Sequence, residues 1–109
     1  MISKVKQMFF LRKIEKMLSN YQIHVKHYIP GRVRLASPYW EGNSKIVNRL
    51  LPALEAEVRI RSVRHTPETG TLLVEYDASS DVNESQIEQW FEKVQQIHNE
   101  VITEEVSQA

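Results

Sequence analysis

His27-Tyr28-Ile29-Pro30-Gly31-Arg32-Val33-Arg34-Leu35 and, further along, Glu68-Thr69-Gly70-Thr71-Leu72-Leu73-Val74-Glu75-Tyr76-Asp77 are the stretches whose reading decides the fold. Around the first, residues 22–36 alternate with a period of two. Ile23, Val25, His27, Ile29, Val33 and Leu35 share one parity, and His24, Lys26, Tyr28, Arg32 and Arg34 the other. That is the pattern of a half-buried antiparallel strand. Pro30-Gly31 interrupts it. Proline donates nothing to a ladder and favours an edge or a bulge, and glycine permits a bend or the close approach of another backbone. In the second stretch, Pro67-Glu68-Thr69-Gly70 reads as a hairpin turn, with glycine supplying a positive φ. It joins a strand over residues 58–66 to one over 71–77 with Leu72, Val74 and Tyr76 on one side.

Helical periodicity fills the rest. Over residues 3–19, Phe10, Leu11, Ile14, Met17, Leu18 and Tyr21 form one stripe opposed by Lys13, Glu15 and Lys16, while Ile2, Val5 and Phe9 fall on the other side. A helix apolar on two sides calls for the domain core on one and a second subunit, a membrane interface or a frayed end on the other. Residues 37–43 form a loop. Asn43 or Ser44 caps the next helix, whose apolar face is Ile46, Val47, Leu50, Leu51 and Leu54. Pro52 predicts a kink there, or a second short helix. Residues 84–104 form the last helix, capped by Asp81 or Asn83, with Ile87, Trp90, Phe91, Val94, Ile97 and Val101 in one stripe. Each such large side chain contributes roughly 1.5–3 kcal/mol when fully buried.

The class is therefore α+β: an extra N-terminal helix over residues 1–21, then a βαββα domain over residues 22–109. The order is ferredoxin-like without its fourth strand, which predicts a three-stranded antiparallel sheet with helices on one face. The missing strand would pair with residues 22–36. Their open edge is then shielded by the first helix or joined to a second chain, because exposed edges tend to be covered or paired.

The chain has 109 residues, enough for one core. It has no cysteine, which excludes disulfides, thiolate metal sites and a cysteine nucleophile. No apolar run is long enough to span a membrane, and no secretory signal is read at the N-terminus. A cytoplasmic location, peripheral to the inner face of a membrane if residues 1–18 attach there, is the expectation. Net charge is zero but uneven. Residues 1–34 carry Lys4, Lys6, Arg12, Lys13, Lys16, Lys26, Arg32 and Arg34 against Glu15, a net +7. Residues 84–109 carry Glu84, Glu88, Glu92, Glu100, Glu104 and Glu105 against Lys93, a net −5. Such asymmetry bears on association, within the fold, across a dimer or with an acidic partner.

The His27–Leu35 strand and the Pro67–Asp77 hairpin together resemble the cysteine-less heavy-metal-associated-like domains of bacteria. Those occur as small separate proteins and at the N-termini of some metal-transporting P-type ATPases. The resemblance covers about residues 24–78. It implies a ferredoxin-like fold and a link to metal-ion transport or homeostasis. Copper-chaperone relatives carry two cysteines after their first strand, where this chain has Pro30-Gly31-Arg32-Val33-Arg34. Guanidinium groups repel cations and have no lone pair to donate, so delivery of a soft metal by a thiolate pair is excluded.

Candidate metal ligands are sparse. His24 and His27 point to opposite faces of one strand. His27, His65 and Asp77 form a set only if the fold gathers them, and His98 falls on an apolar stripe as a hydrogen-bonded core or interface histidine. Arg32 and Arg34 share a strand face, extended by Lys26 and His24. Arg59 and Arg61, or else Arg64, would line the neighbouring strand. Such a row suits an anion or acidic partner, against a plain solvated face with a cross-strand pair to Glu75. Aromatic residues and net charge argue against nucleic acid, and no catalytic motif appears.

The expectation is a non-enzymatic interaction domain without cofactors. Arg32 and Arg34 make the polar contacts, and Tyr28 and Gly31 shape the surface. Its partners would be a second copy, a metal-transporting P-type ATPase or another membrane protein. The alternatives are a metal-binding accessory using histidine and carboxylate ligands, and peripheral membrane attachment through residues 1–18.

Overall fold

Pro30 and Gly31 do not merely interrupt a strand; they reverse it. In the computed structural model, which describes residues 4–78 and 84–108, β1 (His24–Ile29) and β2 (Arg32–Ala36) form an antiparallel hairpin with Ile29 opposite Arg32. Proline presets φ for the first turn position and Gly31 takes φ 92°, a combination suited to a tight reversal. The positive φ favours glycine, and a Cβ there would also lie tightly, 3.3 Å, against the Tyr76 carbonyl oxygen.

The chain continues through a 3₁₀ turn (Pro38–Trp40), α2 (Lys45–Glu55), β3 (Ile60–Thr66), β4 (Thr71–Tyr76) and α3 (Glu84–Gln108), after α1 (Lys4–Ser19) at the start. The sheet is four-stranded and antiparallel in the order β1-β2-β4-β3. The expected three-stranded sheet is corrected by the hairpin. What reads as one long strand is two, and the extra strand covers the edge of β2 that would otherwise lie open.

Local chemistry accounts for the element ends. Ser44 caps α2, its hydroxyl accepting from the Val47 amide at 3.2 Å and donating to the Tyr39 carbonyl at 2.7 Å. Pro52 lies in the last turn of one continuous helix, so the second short helix is not formed. α1 ends with Gln22 at φ 56° and with the Ile23 amide reaching back to the Leu18 carbonyl. The Ile23 and Leu18 side chains are both buried. That is a Schellman-type stop with a residue other than glycine in the left-handed position. Gly70 (φ 64°) closes the β3–β4 turn, and its carbonyl accepts from the Ser37 amide at 2.9 Å. The expected α3 caps, Asp81 and Asn83, lie outside the described residues.

All three helices contribute to a core on one side of the sheet. Phe10, Ile14 and Leu18 come from α1, Ile46, Val47, Leu50 and Leu54 from α2, and Ile87, Trp90, Phe91, Val94, Ile97 and Val101 from α3. They meet Val33, Leu35, Ile60, Leu72, Val74 and Tyr76 from the strands. Each stripe expected of these helices supplies the buried set. Phe9, off the α1 stripe, is 65% exposed.

Candidate functional site

The opposite face of the sheet carries none of these core residues. Its composition follows from register. Ile29 opposes Arg32, Arg32 opposes Glu75, and Glu75 opposes Ser62. In the next row His27 opposes Arg34, Arg34 opposes Leu73, and Leu73 opposes Arg64. Arg32, Arg34 and Arg64 are exposed, and Leu73 and Glu75 are half-buried. Same-face neighbours along a strand are about 7 Å apart and neighbouring strands about 4.8 Å apart. Arg32 and Arg34 are therefore adjacent, and Arg34 and Arg64 flank Leu73 across β4.

The electrostatics of this face differ from those of the helical side. Ion pairs among the described residues join Lys13 to Glu88 (3.0 Å), Arg49 to Glu104 (2.8 Å) and Lys93 to Glu57, all involving α3. The remaining ones hold Asp77 between Arg59 (3.2 Å) and Arg61 (3.9 Å). Part of the charge asymmetry of the chain is thus neutralised within the fold. No ion pair among the described residues engages Arg32, Arg34 or Arg64, although Glu75 faces Arg32 across the ladder.

A β-bulge in β1 redistributes the residues read from the alternation. The register slips between Val25 and His27, and one extra residue in a strand exchanges the faces of everything beyond it. His27, expected against the core or the edge, lies exposed on the edge strand, and Ile29, of the same parity as the core-facing Ile23 and Val25, is 46% exposed. Tyr28, expected to shape the outer surface, is instead half-buried against the core, and the Tyr76 hydroxyl donates to its hydroxyl at 3.4 Å. Gly31 forms the hairpin tip beside this face. Arg59 and Arg61 belong with Asp77, and Arg64 is the β3 arginine in the Arg34 row. β3 is not the neighbour of β2, because β4 lies between them.

The histidines and Asp77 have separate surroundings. His65 donates from Nε2 to the Trp40 carbonyl at 2.6 Å. The Asp77 carboxylate is held by two guanidinium groups. His27 stands across from Arg34 on the outer face. No group of three or more His, Asp or Glu that could hold a metal ion forms among the described residues. His98 is fully buried, and its Nε2 accepts from the Trp40 indole N–H at 3.0 Å. Trp40, Tyr21 and Tyr39 meet the imidazole edge-on. Burial pushes its pKa down to about 4. This histidine locks the 3₁₀ turn and the end of α1 to α3. The sequence placed it on the apolar stripe of α3, but carried no signal for its partner 58 residues away.

A cavity of about 30 Å³ lies beneath the sheet between Tyr28, Tyr76, Trp90 and Phe91. It has room for about one water molecule, so it is a packing feature. No helix among the described residues is long and apolar enough to cross a membrane.

The fold is a small α+β domain with exposed arginines on the outer face of its sheet and no cysteine in its chain. Residues 8–109 match the family model described as heavy metal associated domain 2, and the chain belongs to that family. The match takes in most of α1 together with the whole sheet. No curated protein and no solved structure matches the chain.

Proposed function

We propose that this is a non-enzymatic interaction domain in metal-ion transport or homeostasis, acting through its uncovered sheet face and without thiolate metal binding. The family supports the metal-linked setting. The observation that carries the mode of action is the set of exposed arginines, Arg32, Arg34 and Arg64, lacking ion-pair partners among the described residues. Their register places them on one face. Guanidinium groups are suited to bidentate recognition of carboxylate or phosphate and unsuited to holding a cation.

The scaffold is read as ferredoxin-like. β2-α2-β3-β4-α3 is the βαββα unit with β4 central, and β1 stands beside β2 where a fourth strand would pair. The hairpin at Pro30-Gly31 then supplies from the N-terminal side what the usual order supplies after the last helix. The partner in this reading is the cytoplasmic part of a metal-transporting membrane protein such as a P-type ATPase.

Titration of the purified domain with iron, zinc, copper and manganese, beside a capture assay with that cytoplasmic part, tests the proposal. The expected result is no ion held at micromolar affinity, and capture that Arg34→Ala with Arg64→Ala weakens. A stoichiometric ion bound through imidazoles would replace this reading with a metal-binding accessory. A second reading, membrane attachment through the first helix, is favoured by one observation, the exposure of Phe9. Flotation with anionic vesicles, lost in Phe9→Ser, would support it.

A further inference from the structure

We infer that the uncovered sheet face receives an acidic protein segment, its carboxylates held by Arg34 and Arg64 and an apolar side chain set on Leu73 between them. This rests on the interaction-domain reading above and names the chemistry of its partner.

Charge decides the occupant. Arg32, Arg34 and Arg64 gather on this face against the single carboxylate of Glu75 in the same two rows. Like charges directly opposed across an interface are unfavourable. A second copy docking by the same face would set arginines against arginines about a two-fold axis, because an isologous interface uses one patch twice. The acidic helix of another copy is a poorer occupant. Glu88 and Glu104 are already engaged by Lys13 and Arg49, and seating its other exposed glutamates, Glu92, Glu100 and Glu105, on the sheet face would be a head-to-tail contact that builds rings or open chains in place of a closed pair. The occupant is therefore a different chain, rich in carboxylates.

Geometry narrows its form. Leu73 is half-buried at the centre of the His27-Arg34-Leu73-Arg64 row. The Arg34 and Arg64 backbones stand roughly 9–10 Å apart, two strand spacings, on either side of it. An apolar side chain over Leu73 with a carboxylate to each side satisfies both kinds of contact. Shielding Leu73 from water also strengthens the flanking charge-assisted hydrogen bonds. Nucleic acid fits less well. Three arginines sharing a face with Glu75, on a chain of zero net charge, give a small counter-ion release and a weak long-range field.

The test uses the full chain and a fluorescein-labelled peptide of glutamate and leucine, compared with the same peptide bearing glutamine for glutamate. Further arms are phosphatidylglycerol vesicles and a single-stranded oligonucleotide. Anisotropy should show the glutamate peptide bound at low salt and the glutamine peptide at least tenfold more weakly. Arg34→Ala with Arg64→Ala should weaken binding at least tenfold, Glu75→Gln should tighten it, and Arg12→Ala with Lys16→Ala should leave it unchanged. Amide shifts should move along β2, β4 and β3. If the double alanine variant fails to fold, Arg34→Gln with Arg64→Gln replaces it under the same expectation. Equal binding of both peptides, indifference to the arginine variants, or tighter binding of vesicles or oligonucleotide on this face would overturn the inference. Arginine-dependent capture of the transporter without peptide binding would remove the acidic-segment chemistry alone. Loss of both would remove the interaction-domain reading as well.

Discussion

Lowering the pH from 7 to 4 should weaken the fold through one side chain, His98. The imidazole is fully buried, its pKa is pushed down to about 4 from an ordinary 6.5, and its Nε2 accepts the Trp40 indole proton. Protonation would place a second hydrogen where that acceptor works and a charge among three aromatic rings. Because the folded value lies below the unfolded one, the unfolded chain binds more protons between the two. The contribution is fully present above about pH 6.5 and is lost as pH falls toward 4, amounting to about 3 kcal/mol at pH 4. A domain of this size has about 5–15 kcal/mol in all, so the loss is readily measured. Urea unfolding followed by far-ultraviolet circular dichroism at pH 7 and pH 4 reads it. Carboxylates also titrate in this range, so the relevant quantity is the difference between wild type and His98→Gln. Glutamine retains an acceptor but does not titrate. The wild type should lose about 3 kcal/mol more than the variant over that interval. Equal losses would refute the assignment of a buried neutral imidazole.

Other outcomes follow from the element ends and the core. Gly70→Ala places a Cβ 2.5 Å from the Ser37 carbonyl oxygen at φ 64°, and should cost about 1–3 kcal/mol in thermal unfolding; an unchanged melting temperature would contradict that geometry. Gln22→Gly relieves a left-handed residue at the end of α1 and should raise stability by up to about 1 kcal/mol, whereas a loss would show that the glutamine side chain is needed. Ser44→Ala removes the α2 cap and should cost about 1 kcal/mol in urea unfolding.

Most of the architecture is legible in the sequence because it rests on period and punctuation. The buried members of each helix, such as Phe10, Ile14 and Leu18 in α1, are those that a single stripe predicts. Ser44 and Gly70 do the work their residue types announce. The hairpin at Pro30-Gly31 is ambiguous for a physical reason: a proline that breaks a ladder at an edge and a proline that opens a tight turn leave the same local signature. The parity of Val25 also matches that of Val33 and Leu35, because the bulge and the two-residue turn each shift the face once, so parity alone does not separate one long strand from two. Tyr28 is misassigned because a bulge leaves no mark in composition. One inserted residue, near Lys26, exchanges the faces of His27, Tyr28 and Ile29. The arginine face is half legible. Arg32 and Arg34 follow from alternation within one strand. Arg64 joins them only through the β2-β4-β3 order, which depends on pairings distant in sequence.

Capture of a transporter's cytoplasmic region by wild type and by Arg34→Ala with Arg64→Ala, at matched melting temperature, tests most directly whether a guanidinium surface performs the work of this cysteine-less domain. Weakening of capture by at least tenfold, with no ion bound by either protein, is the predicted result. Undiminished capture by the variant, or capture that requires a bound metal ion, would contradict it.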